Sequence, residues 1–580
     1  MGTGTGRAGG SDSLRGQLTL RGAVIGGIGC VIITASSAYT ALKMGALPWP
    51  IIFAAIISLF FLKLLGNANL HEANCTHAIM SSGAMVAGGL AFTIPGAWML
   101  GLADQIGWLD VFVVALAGTG MGLVCTALIH KHFIRDQALE FPTGFAAAQA
   151  LRATEAGGKT GRRLFASMGL AGVWCLLRDG FHAIPSMLLA LPIPGVTFAV
   201  YNSPMLLSVG FLVGFAPVAL WFAGASLGNF GIIVGGTAAG LWDLDAAQGI
   251  VKSLGMGLMM GSGIAVVLKD ILPQAAGIVR GLLGKGEAAE DAASPTDEPE
   301  SMVTGNLKWD AGVLGLITAA VAVLICFALH LGPLPAIVIV AGTFVTTIMS
   351  AQSCGQTGID PMEVFGLIVM LIVAAFAQLQ QVQLFFIAGV VAVACGMAGD
   401  VMNDFKAGAV LETSPRAQWL GQVIGGIIGA VTAAAVIMAL VTAYGADAFG
   451  PDKTFVTAQA SVVATMVSGI PSVPAFVLGL ASGIALYWLG IPAMMVGLGV
   501  YLPFYMSLTA FLGSCVKLAY DKVAAGRRTA ADVGLTPEER AAKEADERER
   551  GIVIASGMLG GESIIGVILA FVSIGMNLLG

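Results

Sequence analysis

Charge is what this chain has least of. Lys, Arg, Asp and Glu make up 11% of its 580 residues, against about 25% in a soluble domain. With 57% hydrophobic residues and a mean hydropathy of +0.88, it has more apolar surface than water-soluble domains can hide. The few charges sum to −6 and are scattered, so no basic surface for nucleic acid is expected. Cysteine is sparse as well. The eight (30, 75, 125, 175, 326, 354, 395 and 515) fall singly, with no CxxC pair and no disulfide framework. Six histidines without HxxxH or HExxH spacing argue against a metal site, and neither metal nor cofactor is expected. A GxxxxGK[ST] phosphate loop is missing, which argues against ATP-driven pumping. Glycine, in contrast, is abundant at 80 residues, about twice its usual ~7% share. Without a Gly-X-Y period this is not collagen. Close packing of membrane helices accounts for it.

The expected class is all-α: a polytopic membrane protein. A spanning helix needs about 20 mostly apolar residues. Candidate spans lie near 20–42, 47–66, 77–102, 107–130, 163–184, 185–201, 204–226, 228–242 and 249–272 in the first half. The second half offers 310–331, 335–352, 362–379, 383–403, 418–444, 455–470, 474–490, 492–516 and 552–579. Several are too short to span upright, so 14 to 16 true spans are expected, some broken or re-entrant. Residues 1–19 form a polar tail, and the apolar stretch that follows is too long for a cleaved signal peptide. Residues 281–307 are acidic with proline and read as a flexible linker. Residues 517–551 are densely charged. Within them Thr536-Pro537-Glu538-Glu539 has the pattern of a capping box opening a short solvated helix.

The linker separates 20–280 from 308–580, and the two stretches share motifs in the same order. Gly45-Ala-Leu-Pro48 pairs with Gly332-Pro-Leu-Pro335, and Leu139-Glu140 with Leu411-Glu412. Ile184-Pro-Ser186 pairs with Ile470-Pro-Ser472, and Phe222-Ala-Gly224 with Phe511-Leu-Gly513. Each match is weak alone, but the shared order points to an internal duplication. Lys and Arg in short loops set orientation. Arg7, Arg15 and Arg21 place the N-terminus on the cytoplasmic side, as do Lys131 to Arg163 for the loop after the fourth span.

Charged side chains inside apolar runs carry the chemistry. Gly399-Asp400-Val-Met-Asn403-Asp404-Phe-Lys406-Ala-Gly408 ends an apolar run. At 100° per residue, Asp400, Asn403 and Asp404 share a third of the helix circumference. An ionised carboxylate at bilayer depth costs roughly 2.5–3.5 kcal/mol, so it should pair, bind a cation or hold a proton. Two adjacent acids tend to share one proton, which suits a relay. The plainer alternative is a helix end whose acids reach water, with Lys406 as counter-ion. A second cluster, Asn69-Leu-His71-Glu72-Ala-Asn74-Cys-Thr76-His77, opens the third span. Asn69, Glu72 and Thr76 make a polar stripe suited to a substrate pocket, or to an interface loop. Glu140-Phe-Pro142 and Glu412-Thr-Ser-Pro415 read as helix breaks, or as plain caps. Tyr39 and Lys43 close the first span, where Lys43 could also snorkel. Glu562 is an acid inside an apolar final segment and has few bland explanations. Arg178 and Asp179 read as a self-neutralising pair. Asp360 and Glu363 read as helix-start acids. Gly421, Gly425 and Gly429 read as a packing face without chemistry.

Together these pieces resemble the oligopeptide transporter family, which includes the yellow stripe-like carriers of metal chelates. The matching stretches are Ala38-Tyr39 to Gly45, Asn69 to Asn74, Leu139 to Gly144, Ser203-Pro204 with Gly210 and Gly214, Gly399 to Gly408, Ser414 to Gln418, Tyr501-Leu-Pro503 and Ala555 to Glu562. The resemblance implies a duplicated carrier of about 16 segments that takes up short peptides or metal–chelator complexes, usually by proton symport. Tyr39, Lys43, Asn69, Glu72, Asn74, Thr76, Glu140 and Tyr501 are then the expected substrate contacts. Asp400, Asn403, Asp404 and Glu562 are the expected proton-coupling groups. The expected partners are a short peptide or metal chelate, protons and the lipid bilayer of the plasma membrane, with a homodimer left open. Two other classes compete. An ion-pumping membrane enzyme of the pyrophosphatase type needs more Asp and Lys for Mg²⁺ and phosphate than cluster here. A channel would more naturally carry a repeated filter segment.

Overall fold

A computed structural model describes residues 14–45, 51–66, 69–155, 160–266, 268–269, 303–304, 307–357, 360–451, 453–531 and 537–579. Most of the expected tail and nearly all of the linker 281–307 lie outside the described residues. Besides short turns, the helices of the first half are α1 (Leu20–Met44), α2 (Ile51–Leu64), α3 (Leu70–Ala91), α4 (Trp108–His130), α5 (Pro142–Glu155), α6 (Thr160–Cys175), α7 (Pro204–Val213), α8 (Phe215–Ser226) and α9 (Leu244–Val266). A two-stranded antiparallel hairpin, β1 (Met187–Ile193) and β2 (Val196–Tyr201), stands between α6 and α7. After the linker come α10 (Leu307–Val323), α11 (Pro333–Thr357), α12 (Met362–Ala374), α13 (Gln381–Leu411), α14 (Pro415–Tyr444) and α15 (Ala458–Ser468). The chain ends with α16 (Val473–Trp488), α17 (Ala493–Tyr501), α18 (Phe504–Ala531) and α19 (Pro537–Leu579).

Among the described residues, ten helices are long and apolar enough to cross a bilayer, and five shorter apolar ones have 10–17 residues. At 1.5 Å per residue the short ones reach roughly 15–26 Å, less than the ~30 Å hydrocarbon core. This is the all-α polytopic architecture expected, with broken helices. Four segments depart from expectation, among them the span expected at 492–516, which breaks at Leu502–Pro503 between α17 and α18. The span expected at 185–201 is the hairpin: Pro185, Pro192 and Pro194 withhold amide donors, and Gly195 turns the chain at φ +76°. The segment expected to pause between 226 and 228 breaks instead at Gly214, φ +91°, after which α8 continues through a π-helical stretch to Gly235. The solvated helix expected after Thr536 is continuous with the last span, so α19 has 43 residues.

α3, α13 and α14 form the centre of the bundle. The 18-residue core of the α3 segment is wholly buried, and that of α13 is 89% buried, so both are largely enclosed by other parts of the chain. The Gly421, Gly425, Gly429 face of α14 packs on Cys75, Ile79 and Gly83 of α3, as its spacing requires. A Cβ on Gly429 would lie 2.4 Å from the Gly83 Cα. Backbone this close to backbone leaves room for polar side chains only beside the glycine seam.

Candidate functional site

Asp400 and Asp404 stand one turn apart on α13, both 0% exposed. Asp404 Oδ2 accepts from Ser81 Oγ of α3 at 2.8 Å and from Gln422 Nε2 of α14. Its Oδ1 lies 3.6 Å from His77 Nε2. On α3, Asn74, His77 and Ser81 recur at helical spacing and share one face. Among the described residues, neither oxygen of Asp400 has a hydrogen-bond partner, and the same holds for both amide atoms of Asn74, Thr76 Oγ1 and Ser82 Oγ. Each orphaned buried group costs about 1–3 kcal/mol. A fold that keeps several together has a polar core that its own side chains leave partly unsatisfied. Lys406, the counter-ion of the plain alternative, turns away and donates to the Leu139 carbonyl at 2.6 Å. Asn403 faces α5, where its Oδ1 accepts from the Gly144 amide at 3.0 Å and so holds the Pro142 break against α13. Asp360 stands just ahead of α12. It accepts from Ser350 Oγ (2.8 Å), which also lies 2.9 Å from the Cys395 carbonyl of α13.

A second centre forms where α1, the end of α6, the start of α7 and α19 meet. Glu562 is 0% exposed and accepts from Arg178 (2.7 Å), Ser203 Oγ (2.8 and 3.0 Å) and the Met205 amide (2.8 Å). Arg178 is not spent on its neighbour alone. It holds Asp179 through Nε–Oδ1 at 2.7 Å and a terminal nitrogen to Oδ2 at 2.6 Å, and joins it to Glu562. Tyr39 and Lys43 border this centre. The Thr40 and Ser563 hydroxyls meet at 2.9 Å, and Gly566 admits the Tyr39 ring, since a Cβ there would lie 2.5 Å from Tyr39 Cζ.

The remaining expected contacts are elsewhere. Asn69 caps α3 by accepting from the Glu72 amide at 2.6 Å. Glu72 pairs with Arg21 (2.5 Å) and accepts from Thr19 Oγ1 (2.5 Å). These residues sit at the opposite end of α1 from Tyr39 and Lys43, 22 residues away, or roughly 33 Å of helix. Glu140 is exposed just ahead of the Pro142 break. Tyr501 ends α17 at the Leu502–Pro503 break and lines a cavity of about 470 Å³ with Thr197, Asn229, Gln248 and Lys252. Sequence reasoning missed Ser81, Gln422 and the role of Arg178. The spacing of Asn74, His77 and Ser81 was the one signal available. Gln422 and Arg178 find their partners only through tertiary packing.

Spanning helices with breaks between them, and polar groups enclosed where the pieces meet, define a polytopic membrane protein with a polar interior. The chain belongs to the oligopeptide transporter family: the family model described as OPT oligopeptide transporter protein matches residues 17–573. A Haemophilus influenzae protein that carries the provisional name oligopeptide transporter is 25% identical over 611 aligned residues, which cover 92% of this chain and 92% of that one. Members of the family are transporters, so this chain is a transporter and not an enzyme. The membrane-pyrophosphatase alternative falls with that.

Proposed function

We propose that the protein carries short peptides by proton symport, alternating access between the two sides of the plasma membrane, with its N-terminus cytoplasmic. The supporting observation is Asp400 beside Asp404, both enclosed, Asp400 with no hydrogen-bond partner and Lys406 engaged elsewhere. Two carboxylates one turn apart, with the His77 ring 3.6 Å from Asp404 as the nearby basic group, are costly to keep both ionised at bilayer depth, which suits a pair that takes up and releases a proton. Ser81 and Gln422 donate to Asp404 and favour its ionised form. Asn403 carries the state of α13 to the α5 break through the Gly144 amide. Broken helices let one part of a duplicated bundle rock against the other, and the ordered motif pairs along the sequence support that duplication.

Cargo meets Tyr39 and Lys43, and Glu562 holds their surroundings in place through Arg178. Purified protein in liposomes, with an imposed pH gradient and neither nucleotide nor pyrophosphate, tests the reading. Labelled trialanine should accumulate down the proton gradient. Uptake indifferent to the gradient rejects proton coupling. Accumulation of a ferric chelate in place of the peptide moves the cargo to the metal-chelate class.

A further inference from the structure

The Lys43 ammonium lies 5.8 Å from the centre of the Tyr39 ring, 5.7 Å from that of Tyr201 and 5.7 Å from that of Phe455. These rings come from α1, β2 and the loop between α14 and α15, so the cage is assembled by tertiary structure. A lysine that merely snorkels extends toward headgroups; this one is half-buried among rings. Ring faces attract a cation but give its three N–H donors no oxygen to bond. Among the described residues Lys43 has neither a hydrogen bond nor an ion pair.

The nearby acids are already taken. Asp179 is within electrostatic reach of Lys43, but Arg178 holds both its oxygens. Glu562 is filled by Arg178, Ser203 and the Met205 amide. Tyr201 is flanked by two cations, since Arg178 lies 5.0 Å from its ring centre. The fold thus satisfies its own carboxylates with Arg178 and leaves the ammonium over.

We propose that Lys43, walled by Tyr39, Tyr201 and Phe455, is a receptor for a carboxylate group of the cargo. The assignment rests on the carrier reading for the source of that carboxylate, which is a peptide C-terminus or an arm of a chelator. The ammonium supplies both the charge and the donors. Arg178 is a positioning residue: by occupying Asp179 it keeps Lys43 available.

Binding to the purified full chain in detergent tests this with three probes: trialanine, trialanine amide and ferric citrate. The wild type should bind trialanine at least about tenfold tighter than its amide, the worth of one charge-assisted hydrogen bond. Lys43→Gln should erase that difference, and Lys43→Arg should keep most of it. If the carboxylate belongs to chelates, ferric citrate binds in place of the peptide and is the probe that Lys43→Gln weakens. Equal binding of acid and amide with ferric citrate unaffected by Lys43→Gln overturns the receptor, as does a wild type that binds no probe. Proton coupling is read separately. A Lys43-dependent preference for the acid in a protein whose uptake ignores pH would leave the receptor standing and reject symport.

Discussion

Glu562 and Asp400 are both acids with 0% exposure, yet their surroundings differ. Glu562 accepts from Arg178, Ser203 and Met205, whereas Asp400 accepts from none of the described residues. Removing one partner of a buried pair leaves an uncompensated charge, a loss of about 3–5 kcal/mol. Arg178→Ala should therefore lower the melting temperature sharply in detergent, with partial recovery on adding Glu562→Gln. Asp400→Asn removes a group that the fold never satisfied, so its melting temperature should equal or exceed that of the wild type. The opposite ranking in a thermal melt would contradict both assignments. The sequence made Asp400, Asp404 and Glu562 visible because each interrupts an apolar run. It hid Arg178's link to Glu562, 384 positions along the chain, and it suggested Lys406 as a counter-ion that the structure sends to Leu139.

The glycine seam between α3 and α14 is the element on which the polar centre depends. Gly429 has the Gly83 Cα within 2.4 Å of where its Cβ would be, while Gly312 of α10 has nothing within 4 Å. Gly429→Ala should thus cost about 1–3 kcal/mol through forced separation of the helices. Gly312→Ala should be neutral or gain up to about 1 kcal/mol of helix propensity. Parallel thermal melts of the two variants check this, and equal shifts would argue against the seam. This packing face was legible because small residues at every fourth position have one structural meaning in a membrane. The hairpin at 187–201 was not. Its strands are as apolar as a span, and two prolines with a glycine turn weigh little in a hydropathy window. The breaks at Gly214 and Pro503 were missed, because the spans expected at 204–226 and 492–516 run through both, and either residue also sits inside continuous helices when neighbours restore the lost bonds.

Across the molecule, the expected cargo contacts separate into groups. Tyr39 and Lys43 mark one end of α1, while Glu72, capped by Asn69, binds Arg21 and Thr19 at the other. Asp404 meets Ser81 between them, roughly 17 Å along α3 from its start. Sequence spacing could not show this, because adjacency along one helix says nothing about which neighbour lies at which depth. A carboxylate receptor at Lys43 and a proton site at Asp404 do not touch, so coupling between them must pass through the packing of α1, α3, α13 and α14. The direct test uses Asp404→Asn in liposomes, with peptide counterflow at equal pH compared with accumulation under a pH gradient while proton flux is recorded. The variant should exchange peptide at near wild-type rate, accumulate none and move no protons. Gradient-driven accumulation with wild-type proton flux in that variant would contradict the assignment of the proton to this pair.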